Sequence, residues 1–209
     1  MTTEVVVADV RDQALRKIGR NVVNFQKMEA MLKFLNTQQA LTGSLKDISR
    51  IAAQAKKFTS KQPMGQLAEA FLRSVYSNAQ GVLEQADPKE VSVSFSLRME
   101  LDPALVVERK KALRSVVAER NKLIHKWLAT FDPNSLESCK KLAAGLDEQH
   151  ARIWPEFETL RAIVQAVREY QREAARYLAS DAFLAELEEH VGDANDGLQR
   201  TVIDKVANT

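Results

Sequence analysis

The sequence predicts an all-α protein: an antiparallel helical bundle, expected to be dimeric, with one short β element at about residues 91–101. Three observations lead there. Apolar residues recur at gaps of three and four over most of the 209 residues, the spacing of amphipathic helices. Seven Gly and five Pro are too few for a loop-rich β protein or a disordered chain, and 45% hydrophobic residues suffice for an ordinary core. Strict alternation of apolar and polar residues appears in one stretch, 91–101. The length suits one domain, with 1–178 as the bundle and 179–209 as a C-terminal short helix and tail.

Residues 1–8 read as a frayed arm. Asp9 can cap a first helix running to about residue 41, with apolar positions at Leu15, Ile18, Val22, Val23, Phe25, Met28, Leu32 and Leu35. Thr42-Gly43-Ser44 ends it, with Gly as the stop. A second helix is expected at about 45–58, and Pro63-Met64-Gly65 breaks the chain before a third at about 66–85. Asp87-Pro88 is a turn signal. Val91, Val93, Phe95, Leu97, Met99 and Leu101 then alternate with Ser92, Ser94, Ser96, Arg98 and Glu100, which makes a strand with one apolar face. Its backbone needs a partner. A hairpin near 94–96, a segment around Val5–Val7 and a second copy across a dimer axis all remain open.

Asp102 as N-cap and Pro103 at the first helical position start a central helix that runs to about Thr130. Asp132-Pro133-Asn134-Ser135 forms a turn, and Ser135 can cap the next helix. That helix extends from Leu136 to about Tyr177, as one segment or as two broken near Pro155, since an interior proline costs about 3 kcal/mol. Ser180-Asp181 caps a last short helix to about His190.

Charge and cysteine usage narrow the function classes. Thirty basic and 28 acidic side chains leave a net charge of +2, too small for a long non-specific nucleic-acid groove, so any such binding needs a local patch. One cysteine, Cys139, cannot form an internal disulfide and fits a reducing compartment. No apolar run approaches the roughly 20 residues of a membrane span. The start lacks the basic region of a secretory signal. A cytoplasmic protein without membrane partners is expected.

The candidate site lies in the central helix, in Arg120-Asn121-Lys122-Leu123-Ile124-His125. Arg120 falls on the apolar stripe, seven residues after Leu113 and four before Ile124. A guanidinium there is costly unless it is paired or lines a functional cleft. Asn121 and His125 are i and i+4 and share a face. Arg120 lies about 140° from His125 around a regular helix. The two can act on one atom only if the helix is irregular there or a second copy completes the site. Histidine moves protons near neutral pH, and arginine presents a fork of donors suited to phosphate oxygens. The pair suits cleavage of RNA by its own 2′-hydroxyl, leaving a 2′,3′-cyclic phosphate, with no cofactor and no metal.

These residues resemble the R-x4-6-H motif of the HEPN superfamily, including the polar residue after the arginine. The resemblance covers roughly residues 9–178, while the strand at 91–101 and the tail lie outside the minimal pattern. It implies a helical bundle, a homodimer in which two motifs meet, and a metal-independent endoribonuclease of toxin or phage-defence type. Arg120 and His125 are then catalytic and Asn121 supportive. Lys111, Arg114, Lys122 and Lys126 on the same helix are candidate RNA-binding residues, beside the alternative of a solvated face. RNA is the implied partner, with a possible cognate antitoxin acting on a side chain such as Tyr170 or Tyr177. The other reading is a catalytically inactive bundle that binds a protein or nucleic acid.

Other residues read as ordinary surface or core. His150 and His190 sit in charged stretches and read as solvated. Trp127 and Trp154 read as core or interface anchors. Arg161, Arg168, Arg172 and Arg176, interleaved with Glu169 and Glu173, read as a solvated helix face. Cys139 has no histidine nearby in sequence to activate it as a nucleophile.

Overall fold

The computed structural model describes residues 3–39, 41–44, 47–76, 92–94, 97–99 and 101–186. The all-α class holds. Helix α1 is Thr3–Gln39, α2 Ile48–Ser60, α3 Met64–Val75, α4 Pro103–Lys122, α5 Leu128–Thr130 and α6 Leu136–Leu178, and residues 181–186 are helical. Two short strands, β1 (Thr42–Ser44) and β2 (Ser92–Ser94), complete the described elements. Between α4 and α5 the chain does not break. Leu123–Trp127 forms a π-helical turn that joins them.

The core is built by four helices. Phe25, Met28, Leu32 and Leu35 come from α1, and Leu67, Phe71, Leu72 and Val75 from α3. Leu113 and Val116 come from α4, and Leu146, Ile153, Leu160 and Val167 from α6. The α3–α4 pair is antiparallel, with Gly65 beside Val117 and Glu69 bonded to Arg114. The α4–α6 pair is antiparallel too, with Arg109 at Glu156 and Trp127 at Gly145. Helix α1 instead runs parallel to α6, from Lys17 at Asp147 to Gln38 at Gln171. At about 55 and 65 Å these two are the longest elements.

Capping follows sequence expectation at Asp102, Ser135 and Ser180, whereas Asp9, expected as a cap, lies inside α1. Asp102 accepts from the Ala104 N–H at 2.8 Å, with Pro103 at the first helical position. Ser135 accepts from Ser138 N–H at 3.2 Å, and Ser180 from Phe183 N–H at 3.3 Å. Helix α6 runs through Pro155 without a break. Ala151 and Pro155 both face solvent, so water can satisfy the carbonyl that proline leaves without a donor. Packing along α1 on the other side holds both halves in line.

Several expectations are corrected. Residues 3–8 are not an arm, because α1 starts at Thr3. Val10 packs on Ala14 and Cys139, so α6 supports the first turns. Leu15 and Val23 point outward, at 47% and 44% exposure, because a helix buries a stripe rather than every apolar residue. Thr42-Gly43-Ser44 is not merely a stop. It is the partner of the predicted strand, antiparallel in the register Thr42↔Ser94, Gly43↔Val93, Ser44↔Ser92. None of the three pairings open in the sequence is this one. Gly43 has φ +159°, a backbone conformation that side chains rarely adopt, and a Cβ there would also push the end of Ile51 aside.

The strand is also shorter than the alternation suggests. Residues 97–99 are outside any ladder. The Gln39 amide donates to the Leu97 carbonyl at 2.8 Å and accepts from its N–H at 3.4 Å, while Met99 N–H donates to the Val75 carbonyl at 3.1 Å. A side chain and a helix end thus replace a neighbouring strand, and Leu97, Met99 and Leu101 still turn onto the core. The expected helix over 77–85, the Asp87-Pro88 turn, His190 and the tail from 187 lie outside the described residues.

Burial ranks the positions of α1. Leu32→Ala, at a fully buried site, is expected to cost about 2–5 kcal/mol. Leu15→Ala is expected to stay within about 0.5 kcal/mol. Urea unfolding of both variants measures the contrast.

Candidate functional site

The motif sits where the helix changes its winding. Leu123 N–H is shared between the carbonyls of Glu119 and Arg120. Five residues later the register has widened, and Leu128 N–H donates to the Leu123 carbonyl, an i→i+5 bond. Such a turn under-winds the chain. A wider turn advances each of its residues by less than about 100°, the sense that lessens the roughly 140° of a regular helix between Arg120 and His125. Lys122 Nζ lies 4.7 Å from the Trp127 ring centroid.

Tertiary packing accommodates the irregularity. Trp127 swings onto α6 and lies against Gly145, where an added Cβ would come within 3.2 Å of the indole. Leu123 is fully buried. Arg120 is half-buried, while Asn121 and His125 are exposed. Arg120 Nη1 donates to Asn121 Oδ1 at 3.1 Å. Among the described residues Arg120 has no acidic partner, and His125 has no hydrogen-bond partner. One chain presents the three side chains side by side but does not join Arg120 to His125.

The candidate RNA-binding residues divide. Lys111, Arg114, Ala118, Asn121 and His125, at gaps of three and four, share the outward face of α4, and all are exposed. Lys111 and Lys126 have no ion-pair partner among the described residues. Arg114 is engaged by Glu69 in a two-pronged pair at 2.7 and 3.0 Å. Lys122 lies over Trp127. Arg168 sits over Phe34, 5.2 Å from the ring centroid, rather than being wholly solvated. The Tyr177 hydroxyl donates to Glu186 at 2.6 Å.

Beneath the motif lies a buried polar chain that sequence reasoning missed. Arg20 Nε donates to Asn21 Oδ1 at 3.0 Å. Asn21 Nδ2 donates to Gln149 Oε1 at 3.1 Å and to the Leu146 carbonyl at 2.9 Å. Gln149 Nε2 donates to the Glu119 carbonyl at 2.9 Å and to its carboxylate at 3.0 Å. Arg152 Nε completes the Glu119 carboxylate at 2.9 Å. Asn21 and Gln149 are both fully buried. The signal was present. Asn21 falls in step with Ala14, Phe25, Met28, Leu32 and Leu35, and Gln149 in step with Leu142, Leu146 and Ile153, so each is polar at a core position. The adjacent Asp147 and Glu148 make the Gln149 stretch look like a solvated one. His150 is likewise half-buried, 3.4 Å from Asn24 and packed on Trp154, not solvated. Trp154 is 41% exposed and stacks on Phe157. Cys139 is buried and packs with Ala14 and Ala143.

Electrostatics follow burial. For Glu119, burial alone would raise the pKa, but hydrogen bonds from Arg152 and Gln149 and the charges of Arg152 and Lys122 outweigh it, so the carboxyl sits below its ordinary value. For Glu156, burial wins over the Arg109 pair, and its pKa is raised. A cleft of about 290 Å³ between α4 and α6 is lined by Ser115, Val116, Glu119, Arg152 and Glu156 among others, and it does not include Arg120, Asn121 or His125. Among the described residues no three of His, Cys, Asp and Glu gather to hold a metal ion. No described helix is long and apolar enough to cross a membrane. Comparisons with protein families, with curated proteins and with solved structures give no match to this chain.

The lowered Glu119 pKa makes a signed prediction. Its stabilising contribution is full above the unfolded value of 4.5 and is lost as pH falls through the lower folded value. Glu119→Gln is expected to unfold at lower urea than wild type at neutral pH, with the gap closing in acid. A gap that does not change from pH 7 to pH 3 would contradict this account.

Proposed function

We propose that this protein is a metal-independent endoribonuclease of HEPN type, working as a homodimer whose two Arg120–His125 pairs meet across one cleft. The observation that carries this reading is the π turn at Leu123–Trp127, placed on the motif itself. Widened turns are costly irregularities that concentrate at functional sites, and this one reduces the angular separation that a regular helix puts between the two residues. Among the described residues His125 has no hydrogen-bond partner and Arg120 no acidic partner, which adds support.

The chemistry follows from the side chains. His125 of one copy, neutral, takes the proton from the 2′-hydroxyl of RNA. The 2′-oxygen then bonds to the adjacent phosphorus, and the phosphorus–O5′ bond breaks. His125 of the second copy, protonated, gives its proton to the departing 5′-oxygen. The two Arg120 guanidinium groups stabilise the charge that builds on the non-bridging oxygens. Asn121 orients Arg120 through the bond between them. The products are a 2′,3′-cyclic phosphate and a 5′-hydroxyl, and DNA is inert because it lacks the attacking group. Lys111 and Lys126 are the cations free to follow the RNA backbone. A toxin or phage-defence role, with a cognate antitoxin, belongs to the same reading.

The engagement of Arg114 by Glu69 and of Lys122 by Trp127 favours a second reading, a bundle without catalysis that binds a protein or nucleic acid. Cleavage of a mixed RNA pool in excess chelator separates the two. Wild type is expected to leave cyclic-phosphate ends, and His125→Ala and Arg120→Ala to lose about 10²–10⁴ in rate while keeping helical circular dichroism. A folded wild-type dimer that leaves RNA and its ends intact would remove the catalytic reading.

A further inference from the structure

We propose that Gln149 is the positioning residue of the motif, holding the π turn from the neighbouring helix. The argument begins with the backbone. Because Leu123 N–H divides between two carbonyls, the Glu119 carbonyl keeps only part of its helical hydrogen bond. It lies next to Arg120 and inside the protein, where a weakly paired carbonyl is costly. Gln149 Nε2 supplies the missing strength at 2.9 Å. The bond to Arg120 is the tighter i→i+3 kind and Leu123 opens the π turn, so the contact fixes the backbone at the point where the winding changes.

The orientation of that amide is fixed. Asn21 donates to Gln149 Oε1, so the Gln149 NH₂ must face Glu119, and Arg20 and the Leu146 carbonyl fix Asn21 in turn. Both amide protons are used, on the carbonyl and on the carboxylate of Glu119. Gln149 is fully buried and cannot meet RNA, so its action passes through Glu119 to Arg120 and His125.

Only the kinetic arm of the test rests on the ribonuclease reading. Gln149→Met keeps the length of the side chain and removes the donor. It is made in the full chain with Trp154→Phe, so that Trp127 is the one indole. In the parent, the Lys122 side-chain protons are expected upfield of their usual positions under the Trp127 ring. In Gln149→Met that ring-current shift is expected to vanish while helical circular dichroism stays. RNA cleavage is expected to lose about a hundredfold in kcat with KM unchanged, since the groups that bind the strand stay in place. A folded Gln149→Met that keeps both the Lys122 shift and kcat overturns the proposal. If the parent cleaves no RNA, the ribonuclease reading fails, and the Lys122 shift alone decides the role of Gln149. If Gln149→Met does not fold, Asn21→Ser, which leaves Gln149 in place but frees its amide to turn, takes its place. Loss of the Lys122 shift in that variant supports the proposal and retention overturns it.

Discussion

The side-chain amide of Gln149 is the point at which α1, α4 and α6 meet. It accepts from Asn21 on α1, donates twice to Glu119 on α4, and belongs to α6. A buried amide left without partners is penalised strongly, whereas hydrophobic contacts tolerate sliding. The three helices therefore have one register in which all these groups are satisfied. A shift of α6 along α1 would leave Gln149 and Asn21 buried with unused donors. The apolar core supplies the bulk of the attraction, and this polar chain selects which of its packings is used.

The same division between general attraction and local selection appears elsewhere. Helix α6 crosses Pro155 because apolar residues on both sides, from Leu142 to Val167, pack as one stripe. A local cost of about 3 kcal/mol is smaller than the loss of half that stripe. At the other end of the fold, 97–99 has a strand-like pattern with no strand beside it among the described residues. Gln39 and the Val75 carbonyl make the bonds a neighbour would have made.

The functional reading depends on a defect in a regular element. A straight helix would face Arg120 and His125 in different directions, and no side-chain torsion repairs that well. Widening one turn re-aims the residues after it; here Trp127 lies against Gly145, with Lys122 over its ring. On the buried side Leu123 anchors the irregular turn and Gln149 holds Glu119 just before it, while Asn121 and His125 are exposed. Arg114 and Lys122 show the counterpart. Charges free to bind phosphate by their position in sequence are held by Glu69 and Trp127 within the fold.

The sequence alone determined the helical class, the caps at Asp102, Ser135 and Ser180, the stripes of α1, α4 and α6, and the stretch that holds the motif. These rest on interactions within about four residues, which periodicity and capping chemistry report directly. Tertiary structure alone decided the partner of the strand, the survival of α6 through Pro155, the parallel course of α1 and α6, and the π turn. Each involves a group distant in the chain: Thr42–Ser44 for β2, α1 for α6, and Gly145 against Trp127 for the turn at the motif. Asn21 and Gln149 stand between the two. Their core register is written in the sequence, but a polar residue at an apolar position has no meaning until its partner 128 residues away is in place.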